Sequence, residues 1–237
     1  MTPKSLIDKI ALVAGGSGAL GSVIAERLSA EGCSVYITYR QKKGAPTPRA
    51  GIRSSVRALS ADLTDEGQAT VLFDHIIAES SRIDIVVNTV GGYVGGKNLK
   101  DVSVQDWDLM MNANLKSAFL LTREALRRMD GQLYGRIINI SAMAGLNLTP
   151  GRAPYALSKA AVALLTEIVS KEIKGSGITI NAIAPSIIVT ASNLESLPDA
   201  DTTKWVTPDQ IAELVCYFCS PAAAAISGTT VKAYGGV

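Results

Sequence analysis

The chain has 237 residues, among them 23 Lys or Arg, 21 Asp or Glu, one His and three Cys. This length and a globular composition suit one large domain spanning residues 1–237, with two small domains as the alternative. The formal net charge of +2 is too small to favour nucleic acid or a membrane surface as a partner, and no apolar run approaches the ~18 residues of a membrane-spanning helix. We therefore expect a cytoplasmic protein.

The His and Cys residues limit the possible chemistry further. A single His excludes every site that needs two, so we predict no metal centre, and an odd number of Cys argues against a disulfide framework. Cys216 and Cys219 form a Cys-x-x-Cys pair inside an apolar predicted helix. We interpret them as small buried side chains rather than as metal ligands or a redox pair.

Short β-branched runs alternate with longer segments of helical period, which is typical of a parallel sheet covered by helices. The predicted strands are residues 10–14, 35–38, 56–59, 83–88, 136–140, 178–183 and 229–233, and the predicted helices are residues 19–31, 66–80, 103–130, 154–174 and 208–220. No repeat or long linker interrupts this order. The pattern predicts a single doubly wound α/β Rossmann domain with a seven-stranded parallel sheet, in which Gly and Pro residues between 40 and 55 reduce the second crossover to a loop or short turn.

A glycine-rich turn follows the first predicted strand and leads into a helix. Its residues are Gly15, Gly16, Ser17, Gly18, Ala19, Leu20 and Gly21. Glycines at this place let backbone N–H groups approach a pyrophosphate, which the positive end of the helix then stabilises. The turn therefore predicts dinucleotide binding, although a glycine pattern alone is also compatible with an ordinary tight turn.

The end of the second predicted strand indicates which dinucleotide is preferred. An acidic residue there binds the ribose hydroxyls of NAD, whereas a basic residue accepts the 2′-phosphate of NADP. This chain has Tyr39 and Arg40, within a stretch of residues 32–61 that lacks acidic residues before Asp62 and contains Arg40, Lys42, Lys43, Arg49, Arg53 and Arg57. We predict NADP, with NAD less favoured and a solvated basic loop as the alternative explanation.

Tyr155 and Lys159 stand one turn apart in a predicted helix and so share a face. A phenol with its usual pKa near 10 is a poor proton-transfer group at neutral pH, but a nearby ammonium lowers that pKa. The pair therefore predicts acid–base chemistry, whereas an isolated pair of this kind is more often a surface Tyr over a Lys stem.

These motifs together resemble the short-chain dehydrogenase/reductase family over nearly the whole chain. The resemblance includes Asp62 and Leu63, Asn88 to Gly91, Asn112 to Lys116, Asn181 to Pro185 and the closing glycines 228, 235 and 236. It implies an oxidoreductase with a small-molecule substrate and a homodimer or homotetramer. By resemblance, Asp62 binds adenine, and Asn88 and Gly91 line the cofactor. The resemblance also implies that Asn114 holds a water in a proton relay to Lys159. It further implies that residues 185–190, including Pro185, Ile188 and Thr190, contact the nicotinamide amide and that residues 191–204 form a substrate lid.

One departure from the family concerns its catalytic serine, because this chain has Ala142 at that position. Ser141 is adjacent, but successive strand residues point to opposite faces, so we do not expect it to substitute. Loss of one oxyanion donor commonly costs ~10²–10³ in rate. The dihydropteridine reductase branch of the family also has alanine here, and the segment Gly91 to Gly96 and the lid resemble that branch too, although the basic residue at the second strand does not.

These observations lead to three hypotheses about function. The first is an NADPH-dependent reductase acting on a C=N or C=O group, with a quinonoid dihydropterin as one substrate and Ala142 and Tyr93 beside it; Tyr93 either stacks on a flat ring or packs on the lid. The second is a 3-oxoacyl or other carbonyl reductase of the same family. The third is an NADP-binding sensor or scaffold without catalysis, against which the presence of Tyr155, Lys159 and Asn114 argues.

Overall fold

The computed structural model describes residues 6–40 and 56–237. Its strands are β1 (Ile10–Ala14), β2 (Ser34–Tyr39), β3 (Val56–Ser60), β4 (Ile85–Asn88), β5 (Gly135–Ile140), β6 (Ile178–Pro185) and β7 (Thr230–Ala233). Its α-helices are α1 (Ala19–Ala30), α2 (Glu66–Ser80), α3 (Val104–Met110), α4 (Ser117–Met129), α5 (Met143–Asn147), α6 (Ala153–Glu172), α7 (Ala191–Ser196) and α8 (Pro208–Cys219).

The strands form one seven-stranded sheet in the order β3-β2-β1-β4-β5-β6-β7, and every neighbouring pair is parallel. The strand order reverses between β1 and β4. All carboxyl ends of the strands meet at one edge of the sheet, and ligands of open α/β sheets bind at that edge near the reversal. The predicted α/β class, the single sheet and the number of strands are confirmed.

Two apolar layers cover the two faces of the sheet. On one face, Val13 and Ile138 pack with residues of α1 and α8, including Ile24 and Ile211. On the other face, Leu12 packs with residues of α2, α4 and α6. Alternate residues of one strand thus enter different layers, which explains why the strands are apolar at nearly every position. Cys216 and Cys219 are buried in the first layer, as predicted.

The first helix ends where the sequence indicates. Gly32 has φ +102° and donates its N–H to Ser29 O, while Cys33 donates to Leu28 O. This pair of bonds is the Schellman motif, which requires a left-handed residue just after the helix and therefore favours glycine.

The predicted helix 103–130 differs from the structure in its middle. α3 and α4 are joined by a π-helical segment, Met111–Lys116, in which hydrogen bonds reach one residue further than in an α-helix. The residues on either side, Met110 and Ser117, keep α-helical dihedral angles. The apolar pattern of the sequence therefore does not indicate the insertion. π-segments are frequent at functional sites, and this one contains Asn114.

The predicted loop between residues 40 and 55 lies outside the described residues, as do Lys42, Lys43, Arg49 and Arg53. In the described ranges, no helix combines the length and apolar character needed to cross a membrane.

Candidate active site

The glycine turn after β1 is held by two threonines that sequence reasoning missed. Gly15, with φ +77°, donates its N–H to Thr38 Oγ1 at 2.8 Å, and Thr89 Oγ1 donates to Ala14 O at 2.7 Å. A Cβ on Gly21 would lie 2.8 Å from both Gly16 Cα and Thr89 Oγ1. The turn is therefore pressed between β2 and the residues after β4. Thr38 could have been found from the sequence, because it is a polar residue within the buried apolar strand β2.

The glycines of the turn differ in how much space a side chain would have. A Cβ at Gly16 would lie 2.6 Å from Ile37 Cγ2, so Gly16 cannot carry a side chain without a shift of its neighbours. At Gly18, by contrast, the nearest atom to a Cβ is Gly15 O at 3.3 Å. Gly16 lets the turn approach β2.

The N-terminus of α1 fits an anionic ligand. α2, α3 and α8 begin with side-chain caps from Asp65, Ser103 and Thr207, whereas Gly18, at the start of α1, provides no side-chain cap and no acidic residue lies in the first turn. The first N–H groups of a helix have no partner within the helix, so they are available to bind a phosphate there. Ser17, Ala19 and Leu20 lie at this end.

The residues expected to select the cofactor lie at the same edge of the sheet. Tyr39 ends β2, and Arg40 follows it and is exposed. Arg57 does not belong to this group, because it lies on β3 opposite Tyr36, bonded to Tyr36 Oη at 2.8 Å and to Glu79 at 2.9 Å. Arg57 therefore does not support the NADP prediction. Within the part of the chain that the structure describes, Arg40 is the basic residue of this group that lies at the carboxyl edge of the sheet.

Two further predicted cofactor residues follow β3. Asp62 accepts through Oδ1 from the N–H and hydroxyl of Thr64, at 3.0 and 2.8 Å. Leu63 is buried, and its side chain belongs to the core layer of α2, so its backbone is the part that can meet a ligand. At the end of β4, Asn88 accepts through Oδ1 from Val90 N at 3.0 Å and is itself buried.

Asn114, Gly91 and Lys159 come together between the end of β4 and α6. Asn114 Oδ1 accepts from Gly92 N at 2.9 Å, and its Nδ2 donates to Ser158 Oγ at 3.0 Å. A Cβ on Gly91 would lie 2.7 Å from Asn114 Oδ1 and 3.2 Å from Lys159 Nζ. Glycine at 91 therefore leaves the space in which these two side chains meet. The sequence predicted this grouping but missed Ser158, which orients the amide of Asn114.

The ammonium group of Lys159 is buried and donates to Ile140 O at 2.8 Å. Burial disfavours the charged form and lowers the pKa of Lys159 to about 8. The pKa still exceeds 7, so the side chain is predominantly an ammonium at neutral pH.

The pKa of Tyr155 is raised to about 12, chiefly by burial and then by the adjacent Tyr93, while Arg152 lowers it. Burial thus outweighs the effect of the nearby cation Arg152, and the lowering of this pKa by Lys159 stays a prediction. Tyr155 is therefore a protonated phenol at neutral pH. A raised pKa makes the phenol a weaker proton donor, so proton transfer from Tyr155 requires a cation that stabilises the phenolate.

No hydroxyl replaces the family's serine at positions 141 and 142. Ala142 is buried in extended backbone at the start of α5. Ser141 Oγ donates to Lys159 O at 2.7 Å and is 1% exposed. Its hydroxyl is committed to the backbone of α6, as the alternation of strand residues predicted.

The segment after β6 carries the residues expected near a nicotinamide. Pro185 ends β6, Ile188 pairs with Val206, and Thr190 Oγ1 caps α7 by accepting from Asn193 N. The predicted lid, residues 191–204, contains α7 and a short 3₁₀ turn and is mostly exposed.

Tyr93 lies on the loop after β4 and contacts Tyr155. The ring centroids are 4.9 Å apart and the planes are inclined by 80°, an edge-to-face arrangement. The Tyr93 side chain is more than half exposed. Tyr93 thus lies against Tyr155, two residues along the loop from Gly91, where Lys159 and Asn114 come close.

A doubly wound parallel sheet with a glycine turn at its strand-order reversal, and with Tyr, Lys and Asn beside it, defines the class of Rossmann-type oxidoreductases. Residues 9–201 match the family described as short chain dehydrogenase. The chain belongs to that family.

Comparison with curated proteins and solved structures agrees. The chain is 32% identical over 243 residues to a 3-oxoacyl-[acyl-carrier-protein] reductase of Synechocystis sp., covering 98% of each chain. It is 32% identical over 247 residues to the reductase FabG of Haemophilus influenzae, covering 97% of this chain and 98% of that one. A short-chain dehydrogenase/reductase from Serratia marcescens superposes with a TM-score of 0.88 at 29% identity over 98% of both chains.

Proposed function

We propose that this protein is an NADPH-dependent reductase of a small-molecule carbonyl compound, with Tyr155 as the proton donor. The observation that carries the proposal is the grouping of Lys159 and Asn114 around Gly91, with Tyr155 one helical turn away on α6. Reduction of a carbonyl requires a proton for the developing alkoxide, and a positioned phenol can supply it.

The residues at the carboxyl edge fit a nicotinamide dinucleotide. The pyrophosphate would be held by Gly15, Ser17, Gly18, Ala19, Leu20 and Gly21. The adenosine 2′-phosphate would contact Tyr39 and Arg40, and the adenine would contact Asp62 and Leu63. The ribose side would be lined by Asn88 and Gly91, and the nicotinamide amide by Pro185, Ile188 and Thr190. When bound, the reduced cofactor supplies a hydride. The exposed guanidinium of Arg40 favours NADPH over NADH, because guanidinium–phosphate bonds are charge-assisted.

Each of the three polar residues of the site has a distinct part. Tyr155 transfers its proton to the substrate oxygen, and the ammonium of Lys159 stabilises the phenolate that remains. Asn114 holds the π-segment against the loop at Gly92 and keeps its amide beside Lys159, where it can orient a water for re-protonation. Residues 191–204 would cover the substrate as a lid.

Two substrate classes compete. The curated relatives named above are 3-oxoacyl-[acyl-carrier-protein] reductases, and this favours a 3-oxoacyl thioester. The main observation in favour of a C=N substrate such as a quinonoid dihydropterin is Ala142, because charge spread over several heteroatoms depends less on one hydroxyl donor. Neither relative is a dihydropteridine reductase, so we place the carbonyl substrate first.

The experiment is NADPH oxidation over a panel of 3-oxoacyl thioesters, quinonoid dihydropterin, quinones and aldehydes, with wild type and Ala142→Ser, repeated with NADH. We expect 3-oxoacyl reduction with NADPH, and an increase of at least ~10-fold in Ala142→Ser because an oxyanion donor is restored. Preference for dihydropterin with no gain from Ala142→Ser would favour the second substrate class. NADPH binding without turnover of any substrate would favour a sensor or scaffold.

We further propose that the protein forms a homodimer or a homotetramer. α6 exposes Leu157, Leu164 and Ile168 on one side, and α4 exposes Phe119. A cavity of about 410 Å³ beside them is lined by Met111, Asn112, Leu115, Lys116, Phe119 and Leu165. Contiguous apolar surface of this kind marks an interaction site in a soluble protein.

A further inference from the structure

The phenol of Tyr155 lies in a site whose usual hydroxyl neighbour is absent. Ala142 offers a methyl group, and the hydroxyl of Ser141 is engaged by Lys159 O on the far side of the strand. Neither residue can orient the Tyr155 side chain through a hydrogen bond. The orientation of this ring must therefore come from packing.

Tyr93 provides such packing. Its ring meets Tyr155 edge-to-face with centroids 4.9 Å apart. The positive edge of one ring then faces the negative face of the other, an arrangement that aromatic pairs prefer and that fixes their relative tilt. Tyr93 itself is 59% exposed, so burial of its own surface in the core does not explain its placement.

The loop that carries Tyr93 is attached at both ends to the site. Gly92 exchanges hydrogen bonds with the Asn114 side chain, and further along Gly96 N and Lys97 N both donate to Gly151 O, at 2.8 and 3.2 Å. Lys97 also pairs with Asp106 at 2.7 Å. Tyr93 therefore sits on a loop held between the π-segment and the start of α6.

The Tyr93 ring packs against Gly95. A Cβ at Gly95 would overlap the Tyr93 hydroxyl and lie 2.7 Å from Cζ. The backbone of Gly95 does not adopt the left-handed conformation, so the space it leaves, rather than its φ, is what alanine would remove.

We infer that Tyr93 is a positioning residue for Tyr155. The Tyr93 ring, which packs against Gly95, holds the Tyr155 phenol in the orientation needed for proton transfer. The inference rests on the proposed function. It assigns the role to the ring and not to the Tyr93 hydroxyl, which lies over Gly95.

The test is a double-mutant cycle measured as kcat and KM with the best substrate of the panel. Tyr93→Ala is expected to lower kcat by about 10-fold or more with KM for NADPH unchanged, because small misplacement of a reacting group is costly. Tyr93→Phe recovers most of that loss. Gly95→Ala lowers kcat in the wild-type background but adds nothing in the Tyr93→Ala background, because the two substitutions act through one contact. Tyr217→Ala, an exposed aromatic of α8, serves as the control and leaves kcat unchanged.

Three results would overturn the inference. One is wild-type kcat in Tyr93→Ala. Another is an additive effect of Gly95→Ala and Tyr93→Ala. The third is a loss confined to substrate KM that varies with the substrate, since Tyr93 would then contact the substrate instead.

A second readout does not depend on turnover. Ring-proton NMR resonances of Tyr155, assigned by their disappearance in Tyr155→Phe, should shift in Tyr93→Ala and Gly95→Ala and stay close to wild type in Tyr93→Phe. Unchanged resonances in Tyr93→Ala would refute the contact. If wild type reduces no substrate of the panel but these shifts occur, the proposed function fails while the contact stands.

Discussion

Lys159 is the side chain of the site that is most costly to bury. Its ammonium has one described protein acceptor, Ile140 O, and is otherwise enclosed. The pKa of about 8, against an ordinary value of 10.5, shows that the folded state disfavours the charge. A residue kept at such a cost is typical of a functional site rather than of a stabilising core.

Lys159→Met should therefore stabilise the protein while it impairs turnover. The folded protein loses the Lys159 proton near pH 8 and the unfolded chain near pH 10.5, so the wild type gains stability as pH rises between these values and bears the full penalty below about pH 8. We expect Lys159→Met to be more stable at pH 7 by roughly 1–3 kcal/mol, the lower bound reflecting the loss of the bond to Ile140 O.

Urea unfolding of both proteins at pH 7 and pH 10 checks this prediction. The stability advantage of Lys159→Met should shrink at pH 10. An advantage that is independent of pH would show that Lys159 is not charged and buried in the folded protein at neutral pH.

Among the secondary-structure elements, the glycine turn and the start of α1 are packed tightly against each other. Gly21 lies in the first turn of α1 against Gly16 and Thr89. Gly67 lies in the first turn of α2, where the nearest atom to a Cβ is Asp65 Oδ1 at 3.4 Å. The two glycines occupy comparable helical positions, but a side chain would have no room at Gly21 and would fit at Gly67.

Gly21→Ala should destabilise the protein by ~1–3 kcal/mol and weaken NADPH binding, because the added methyl displaces the turn from Thr89. Gly67→Ala, the matched control, should stabilise it by up to ~1 kcal/mol through its better helix propensity. Thermal unfolding and NADPH titration of both variants measure these effects. Equal effects of the two substitutions on stability would disprove the packing argument.

Most elements could be predicted from the sequence, because their apolar period and their glycines are local properties. The strands 10–14 and 136–140, and the helix 66–80, agree with β1, β5 and α2 nearly residue for residue. The π-segment at Asn114 could not be predicted, because the apolar pattern of the sequence does not distinguish it from the α-helices on either side. The contact of Tyr93 with Tyr155 and the raised pKa of Tyr155 were equally out of reach, since both depend on the path of a loop and on burial.

For the molecule as a whole, the proposed dimer would bury the exposed apolar side of α6. Leu164→Glu should yield a species of lower mass, because a charge would be desolvated in the interface. Sedimentation velocity measures the mass. Leu133→Glu, the same substitution at a residue that is 94% exposed, is the control and should keep the wild-type mass. A wild-type monomer, or an unchanged mass in Leu164→Glu, would contradict the proposed dimer.

In the proposed reaction, Tyr155 donates a proton during an NADPH-dependent reduction. The most direct measurement compares Tyr155→Phe with wild type in both turnover and NADPH affinity. We expect kcat to fall by at least ~10²-fold, because the proton donor is lost, and the Kd for NADPH to change by less than about twofold. Wild-type turnover in Tyr155→Phe would contradict this role of Tyr155.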